Sequence, residues 1–271
     1  MTVPTVHDGA AGSAETGRSV LGRALAVLDT FSNERPEQTL GSICEATGLP
    51  SATTHRLDNE LVTWGALERV GRGRYRVGLR LWQLGSLAPS ARTLRDVALA
   101  FLHDLLEVTH EVVHLVVRDG DKALYLERLM ARPEVHVRSR VARRLPLHAT
   151  GPGKILLAHA PDEVVAQVLA CPLPRLARLA RNTITDPDVL RDTLTAIRES
   201  GYCISREEMT DGASSVAAPV RGPNGDVVAA ISVVVPADRP DLTSLVPAVR
   251  VAAAGISRGL RPRTPAGRRP T

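Results

Sequence analysis

The chain has 271 residues, of which 44% are hydrophobic and 23% are charged, a composition typical of a globular protein with room for two domains. No apolar run approaches the roughly 20 residues that span a bilayer, and the polar N-terminus lacks the apolar core of a signal peptide. The three cysteines (Cys44, Cys171 and Cys203) are far apart in sequence. This spacing argues against a disulfide framework or a thiolate metal site and favours the reducing cytoplasm.

The net charge of +5 comes from the end of the chain and is weak evidence for a nucleic-acid partner. Residues 1–88 carry nine arginines and nine acidic side chains, and the excess of positive charge lies in residues 258–271. Residues 69–80, RVGRGRYRVGLR, differ because they hold five arginines and no acidic residue. This local cluster, rather than the total charge, indicates a surface suited to DNA phosphates.

Three short helices are predicted at the start of the globular part. Residues 19–32 place their apolar side chains largely on one helical face behind Ser19, a suitable N-cap. The second helix, in TLGSICEATGL, ends at Gly48, and the third, in PSATTHRLDNELVTWGAL, has Ser51 as its cap. The tight Gly-Leu-Pro turn between the second and third helices is typical of a helix-turn-helix.

An arginine-rich hairpin and a long helix follow. The stretch LERVGRGRYRVGLRLWQLG predicts a strand, a glycine turn and a second strand, which would form a wing. We therefore predict a disordered lead over residues 1–18 and a winged helix-turn-helix over residues 19–88. Residues 89–109 predict an amphipathic linker helix.

The rest of the chain alternates between strand and helix patterns. EVVHLVVRDG, KALYLERL and VHVRSRV predict strands, and SSVAAPVRGPNGDVVAAISVVVP predicts two strands around Asn-Gly-Asp. GPGKILLAHA, PDEVVAQVLA and DPDVLRDTLTAIRESG predict helices. The fold class is therefore α+β, with an α+β or α/β sensor-like domain over residues 110–260. Residues 261–271 are rich in proline and arginine and predict a disordered basic tail.

Residues 109–117, THEVVHLVV, contain the His-Glu-x-x-His string of zinc peptidases. That site needs both histidines on one helix, but His110 and His114 fall where the linker helix gives way to β-branched residues. In a strand, four residues span roughly 13 Å, which is too far for two imidazoles to share one zinc ion. We therefore predict a helix end and a strand with exposed histidines, no metal site and no enzymatic activity, with a zinc hydrolase as the less favoured alternative.

HATGPGKILL resembles a phosphate loop, but the Walker pattern requires Gly where His148 stands and Ser or Thr where Ile155 stands. The match therefore does not predict nucleotide hydrolysis. Gly151 and Gly153, just before a helix, could still present backbone N–H groups to an anion such as a carboxylate. The alternative is that both glycines serve only a tight turn at the start of the helix.

Four stretches in order carry a resemblance to a known family: SVLGRALAVLDTFS, GLPSATTHRL, PLHATGPGKILLA and ESGYCISREEMTDGASSVAAPVRGPNGDVVAAISVVVP. Together they resemble the IclR family of bacterial transcription regulators over residues 19–260. The resemblance implies a winged helix-turn-helix, a linker helix used in dimerisation, and a GAF/PAS-like effector-binding domain. It also implies cytoplasmic dimers, often paired into tetramers, that bind double-stranded promoter DNA and a small effector and need no cofactor.

The resemblance and the predicted elements together select candidate DNA contacts. On the third helix the candidates are Ser51, Thr53, Thr54, His55, Arg56 and Asn59. On the first helix and the wing they are Ser19, Arg23, Arg72, Arg74 and Arg76. Arg56 could fork onto guanine O6 and N7, the alternatives being a phosphate contact or an ion pair with Glu60. Thr54 lies on the apolar side of the helix, where packing is the better expectation.

The family positions also select candidate effector contacts, which are Ala149, Thr150, Gly151, Gly153, Ser205, Ser215, Ser232 and Val234. Members that bind pyruvate or glyoxylate have Asp, Cys and Ser where this chain has Ser205, Ser215 and Val234, whereas Ser232 keeps the pattern. These departures disfavour a two- or three-carbon keto acid. An apolar end formed by Val234 and Val216 favours a larger aromatic or aliphatic carboxylic acid. The alternative for each serine is small-residue packing under a sheet.

Three questions stay open at the level of sequence. A ligand-binding module without DNA binding is a second possible function, which DNA affinity would distinguish. Whether the regulator is a repressor or an activator depends on where its operator lies relative to the promoter. The arginines of the tail either add non-specific DNA affinity or only increase solubility.

Overall fold

A computed structural model describes residues 19–32, 35–71, 73–85, 87, 89–131, 141–170 and 178–261. The chain forms two compact units that meet along the sequence between Arg92 and Thr93. The predicted N-terminal lead, the candidate Arg72, and nearly all of both the predicted strand VHVRSRV and the predicted tail lie outside the described residues.

The described helices and strands follow the predicted order, with additions. The helices are α1 Val20–Leu28, α2 Leu40–Thr47, α3 Ser51–Trp64, α4 Leu79–Gly85, α5 Pro89–Thr109, α6 Gly151–Ala158, α7 Asp162–Leu169, α8 Pro187–Ser200 and α9 Val246–Gly259. The strands are β1 Glu37–Thr39, β2 Leu67–Val70, β3 Arg74–Val77, β4 Val112–Asp119, β5 Lys122–Leu129, β6 Arg144–Pro146, β7 Cys203–Arg206, β8 Ala213–Arg221 and β9 Val227–Pro236. The fold class is α+β, as predicted.

The three N-terminal helices are capped largely as the sequence indicates. The Ser19 side chain accepts a hydrogen bond from the Gly22 N–H, and α2 ends at Gly48 in the left-handed conformation, with φ of 70°. The prediction for α3 is wrong in one detail, because Ser51 is its first helical residue and the cap position belongs to Pro50, which supplies no side-chain acceptor.

The wing is larger than predicted. β3 lies between β2 and a short strand, β1, in a three-stranded antiparallel sheet. The last part of the stretch interpreted as hairpin forms the helix α4 instead. Tyr75 of β3 is buried with Val27, Ile43, Leu57 and Leu67, so one small core joins the helices to the wing.

The C-terminal unit is a six-stranded antiparallel sheet, in the order β6-β5-β4-β9-β8-β7, between two layers of helices. α5 and α9 pack on one face with Val113 and Leu115 of β4. α6 and α8 pack on the other face with Val116 of β4 and Ala230 of β9. Neither α9 nor β6 was predicted from the sequence.

Alternation along the strands assigns each side chain to a layer. In β9, Ile231, Val233 and Val235 pack with α5 and α9, whereas Ser232 and Val234 point to the opposite face, where α6 begins. A small cavity of the C-terminal unit lies on this second face.

Candidate functional site

A small cavity with a volume of about 50 Å³ lies beside the sheet of the C-terminal unit, at the start of α6. The strand register places Ser205 opposite Ser215 and Ser215 opposite Val234, so these three residues form one row across β7, β8 and β9. Ser232 stands opposite His114 of β4. The predicted effector residues that line the cavity are Ala149, Thr150, Gly151, Ser205, Ser215, Ser232 and Val234.

Gly153 is the predicted effector residue that does not line the cavity. Thr150 caps α6, and its Oγ1 accepts a hydrogen bond from the Gly153 N–H at 3.1 Å, so this amide already has a partner. A Cβ at Gly153 would lie 2.5 Å from the Leu147 carbonyl oxygen, and the close approach requires glycine. A Cβ at Gly151 would lie 2.6 Å from Ser215 Oγ, so this glycine keeps the cavity open.

The apolar end of the cavity differs from the prediction. Val216 follows Ser215 directly in β8 and therefore points to the opposite face of the sheet, where it packs in the α5 and α9 layer. The prediction that Val216 contacts the effector is wrong for this reason. Leu145 and Met209 stand with Val234 in the cavity lining.

His114 lines the cavity and is buried, so the prediction of an exposed histidine is wrong at this position. Its Nδ1 lies 3.5 Å from Ser232 Oγ, and its ring meets the edge of Tyr125 with 5.1 Å between centroids. Burial, with the nearby positive charge of Arg128, lowers the pKa of His114 to about 3, so the imidazole is neutral near pH 7. The apolar run on both sides of this histidine is a sequence signal for burial.

The zinc-peptidase string does not form a helical metal site. α5 ends at Thr109, His110 follows it with φ of 57°, and His114 lies inside strand β4. Within the described parts of the chain, no group of three or more His, Cys, Asp or Glu side chains is arranged to hold a metal ion.

A buried ion pair that was not predicted from the sequence lies beside the cavity, and its acidic member, Glu208, lines the cavity wall. Lys154 of α6, 1% exposed, donates to Oε1 of Glu208, and Ser205 Oγ donates to the same oxygen at 2.9 Å. A lysine within the apolar run that follows Gly-Pro-Gly is a signal for such a pair, because a buried ammonium requires a partner. The partner lies 54 residues further along the chain, so only the fold identifies it.

Helix α3 of the N-terminal unit presents a polar surface at its beginning. Ser51, His55 and Arg56 are exposed, and Thr53 is half-buried. Thr54 is completely buried, and its hydroxyl donates to the Pro50 carbonyl oxygen at 3.2 Å. Its inclusion among the DNA contacts is therefore wrong, because the core of the unit covers it. Arg56 makes no ion pair with Glu60 or with another described residue.

Asn59 connects α3 to the wing. Its side-chain oxygen Oδ1 accepts a hydrogen bond from the Arg69 guanidinium of β2, and its Nδ2 lies 3.3 Å from His55 Nδ1. Arg69 also lies over the Tyr75 ring, 5.9 Å from its centroid. These contacts make Asn59 a positioning residue between the helix and the hairpin, and a direct base contact would have to displace them.

Two arginines of the wing, Arg74 and Arg76, are paired with carboxylates. Arg74 lies 3.1 Å from Glu37, and Arg76 Nε and Nη2 donate to Glu68 at 2.9 and 2.8 Å. Both pairs are well exposed to solvent, so they contribute little to stability. A DNA phosphate could replace the carboxylate of Glu37 or Glu68 as the partner of its arginine, and no buried charge would be left unpaired. On α1, Ser19 is exposed and Arg23 is half-buried.

Asp58 lies on the buried side of α3, and neither carboxylate oxygen has a hydrogen-bond partner among the described residues. Burial raises the pKa of this carboxyl from 3.8 to about 6, and the charges of His55 and Arg69 oppose the rise. Asp58 was not among the residues predicted from the sequence to have a role.

Known proteins resemble both units of the chain. The IclR helix-turn-helix domain matches residues 20–71, and the bacterial transcriptional regulator IclR C-terminal domain matches residues 88–258. An IclR homologue from Microbacterium hydrocarbonoxydans, crystallised with 4-hydroxybenzoate, is 39% identical, with a TM-score of 0.84 over 89% of this chain and 99% of that chain.

Two regulators support the same assignment. BhcR of Paracoccus denitrificans is 32% identical and covers 98% of this chain and 96% of its own, and the repressor AllR of Klebsiella pneumoniae is 32% identical over 84% and 83%. No helix among the described residues is long and apolar enough to cross a membrane. The two family models together match both units of the chain, the helix-turn-helix unit and the sheet unit. The chain belongs to the IclR family of bacterial transcriptional regulators.

Proposed function

We propose that this regulator binds promoter DNA as a dimer or tetramer, with α3 in the major groove and the wing against the backbone. The exposed start of α3 carries this proposal, because N-terminal residues of a recognition helix meet the base edges. The Arg56 guanidinium has no ion-pair partner among the described residues, so it can form hydrogen bonds to a guanine without breaking an existing ion pair. His55, Ser51 and Thr53 stand beside it.

We propose further that the effector is a small carboxylic acid bound in the cavity of the C-terminal unit. The lining offers serine hydroxyls and the Gly151 N–H at the start of α6, where the helix dipole favours an anion. His114 is neutral and the charge of Lys154 is balanced by Glu208, so hydroxyl and amide donors would hold the carboxylate. The homologue crystallised with 4-hydroxybenzoate supports an aromatic acid.

The size of the cavity sets a condition on this proposal. A cavity of roughly 150 Å³ accommodates benzene, whereas the cavity here has a volume of about 50 Å³. An aromatic acid would therefore have to widen the site. Met209 and the turn that carries it, between β7 and β8, form one of the two parts of the lining outside regular strands and helices; the other part is Ala149 and Thr150.

The mechanism that we propose is a shift of population. The acid would favour one arrangement of the two DNA-binding units of a dimer, so that their spacing matches or fails to match the two half-sites of the operator. The choice between repression and activation then depends on where the operator lies.

A mobility-shift titration against the DNA upstream of the chain's own coding region, at about 50 and about 200 mM salt, tests this function. We expect specific binding that weakens at the higher salt concentration and changes when benzoate or 4-hydroxybenzoate is added. If neither this DNA nor random genomic fragments bind, with or without the acids, the DNA-binding proposal is wrong. Specific binding that neither acid changes, together with no heat of binding by calorimetry, would contradict the effector class alone.

A further inference from the structure

The buried ion pair beside the cavity leaves one carboxylate oxygen without a partner. Lys154 Nζ and Ser205 Oγ both donate to Oε1 of Glu208. Oε2 of Glu208 is shielded from solvent and accepts no hydrogen bond from any described residue. Glu208 is 7% exposed and lines the cavity with its other atoms. Its Oε2 becomes available to a ligand when the turn between β7 and β8, which carries Glu208 and Met209, moves to widen the site.

The unpartnered oxygen requires a donor rather than another positive charge. A buried acceptor that has lost water and found no partner raises the free energy of the folded protein. The charge of Glu208 is already balanced by Lys154, and an ammonium group brought beside them would meet the lysine ammonium at short range. A neutral donor satisfies Oε2 without this repulsion, and among neutral donors an O–H group forms a short, strong hydrogen bond to a carboxylate.

We infer that the effector is a hydroxy-substituted carboxylic acid whose hydroxyl donates to Glu208 Oε2, which makes Glu208 a specificity-determining residue. The inference rests on the proposed effector function and narrows it. Ser205 already donates to Glu208, so the carboxylate of the ligand takes the remaining donors of the lining, which are Ser215, Ser232 and the Gly151 N–H. An acid without the hydroxyl binds more weakly because it supplies no donor, so that Oε2 stays buried without a hydrogen-bond partner.

Calorimetry of the full chain with four probes tests this specificity: benzoate, 3-hydroxybenzoate, 4-hydroxybenzoate and 4-methoxybenzoate. We expect one hydroxybenzoate to bind at least about tenfold more tightly than benzoate, the usual effect of a hydrogen bond to a charged group. The methoxy compound accepts but cannot donate, so it should lose this advantage.

Protein variants assign the preference to Glu208. The double variant Lys154→Met with Glu208→Leu removes both charges and keeps apolar bulk, a replacement that buried ion pairs commonly tolerate. In it, the preference for the hydroxybenzoate should fall to within about twofold. Glu208→Gln is the second variant, and its neutral amide should reduce the preference in part. Glu207→Gln, one residue earlier and outside the cavity lining, should keep the full preference.

The possible results separate the two proposals. Binding of all four acids with equal affinity to the wild type overturns the hydroxyl inference and leaves the acid-effector proposal standing. Binding of none overturns both. A preference that persists in a folded double variant, as checked by circular dichroism, overturns the assignment to Glu208. If the double variant does not fold, an unchanged preference in Glu208→Gln overturns it instead.

Discussion

At the scale of single residues, we expect the substitution of Arg56 to have the most direct effect on the affinity for the operator. Replacing it by alanine removes an exposed guanidinium from the start of α3 and leaves the buried side of the helix unchanged. Affinity for the specific site should fall by about 1–3 kcal/mol, which is roughly 5- to 150-fold. A mobility-shift titration measures the loss, and Arg206→Ala, an exposed arginine of the C-terminal unit, is the matched control. Equal losses in both variants would mean that Arg56 contributes only general charge.

Asp58 should make the stability of the N-terminal unit depend on pH. Its folded pKa of about 6 lies above the ordinary 3.8, so between these values the folded unit holds a proton that the unfolded chain has released. The free energy of unfolding therefore decreases as pH rises from about 4 to about 6 and stays low above that. Asp58→Asn should raise the free energy of unfolding by about 1–3 kcal/mol at pH 8 and remove this part of the pH dependence.

Urea denaturation followed by tryptophan fluorescence measures this effect in the right unit, because both tryptophans, Trp64 and Trp82, lie in the N-terminal unit. Glu60→Gln, an exposed residue of the same helix, should leave the pH dependence unchanged. A loss of stability at pH 8 in Asp58→Asn would show that the carboxylate is stabilised in its charged form.

At the scale of elements, the start of α6 contains two glycines with different roles. Gly153→Ala places a Cβ 2.5 Å from a backbone oxygen, so we expect it to lower the free energy of unfolding by about 1–3 kcal/mol. Gly151→Ala meets a side-chain hydroxyl at 2.6 Å and fills the cavity, so it should keep the fold and weaken acid binding by about tenfold or more. Thermal melting and calorimetry of the two variants distinguish these outcomes. The reverse pattern would mean that the cavity is not the acid site.

Strand alternation shows how far pattern and resemblance can identify a site. Ser205, Ser215, Ser232 and Val234, selected from the family motif on β7, β8 and β9, line one cavity, and their contact with an effector stays a prediction. Val216 was assigned to the same surface, although a neighbour of Ser215 in a strand must point to the other face. The strand pattern alone was sufficient to avoid that error.

At the scale of the whole molecule, the two units have separate hydrophobic cores. We therefore expect residues 89–271 expressed alone to fold and to bind the effector acid with an affinity within about threefold of the full chain. Circular dichroism and calorimetry measure these properties. Residues 1–88 alone should bind operator DNA at least about tenfold more weakly than the full chain, because in the proposed dimer the rest of the chain holds two DNA-binding units together. A fragment 89–271 that remains unfolded would contradict the independence of the cores.

The sequence by itself determined the order of parts, the helix-turn-helix, the family and seven of the sixteen residues that line the cavity. These follow from local physics, because caps, glycine turns and the periodicity of apolar residues act over a few positions. Gly48 ends α2 and Ser19 caps α1 for reasons visible in the neighbouring residues.

The tertiary structure decided which polar side chains are buried and with what partner. His114, Asp58, Lys154 and Glu208 all lie in the interior. Lys154 finds its partner in a distant part of the chain, whereas the carboxylate oxygens of Asp58 find none among the described residues. Burial changes the charge that a group carries, and burial results from packing between elements that are distant in the chain. For that reason the hydrogen-bonding requirements of the cavity, and with them the proposed choice of effector, became visible only once the sheet and its helices were in place.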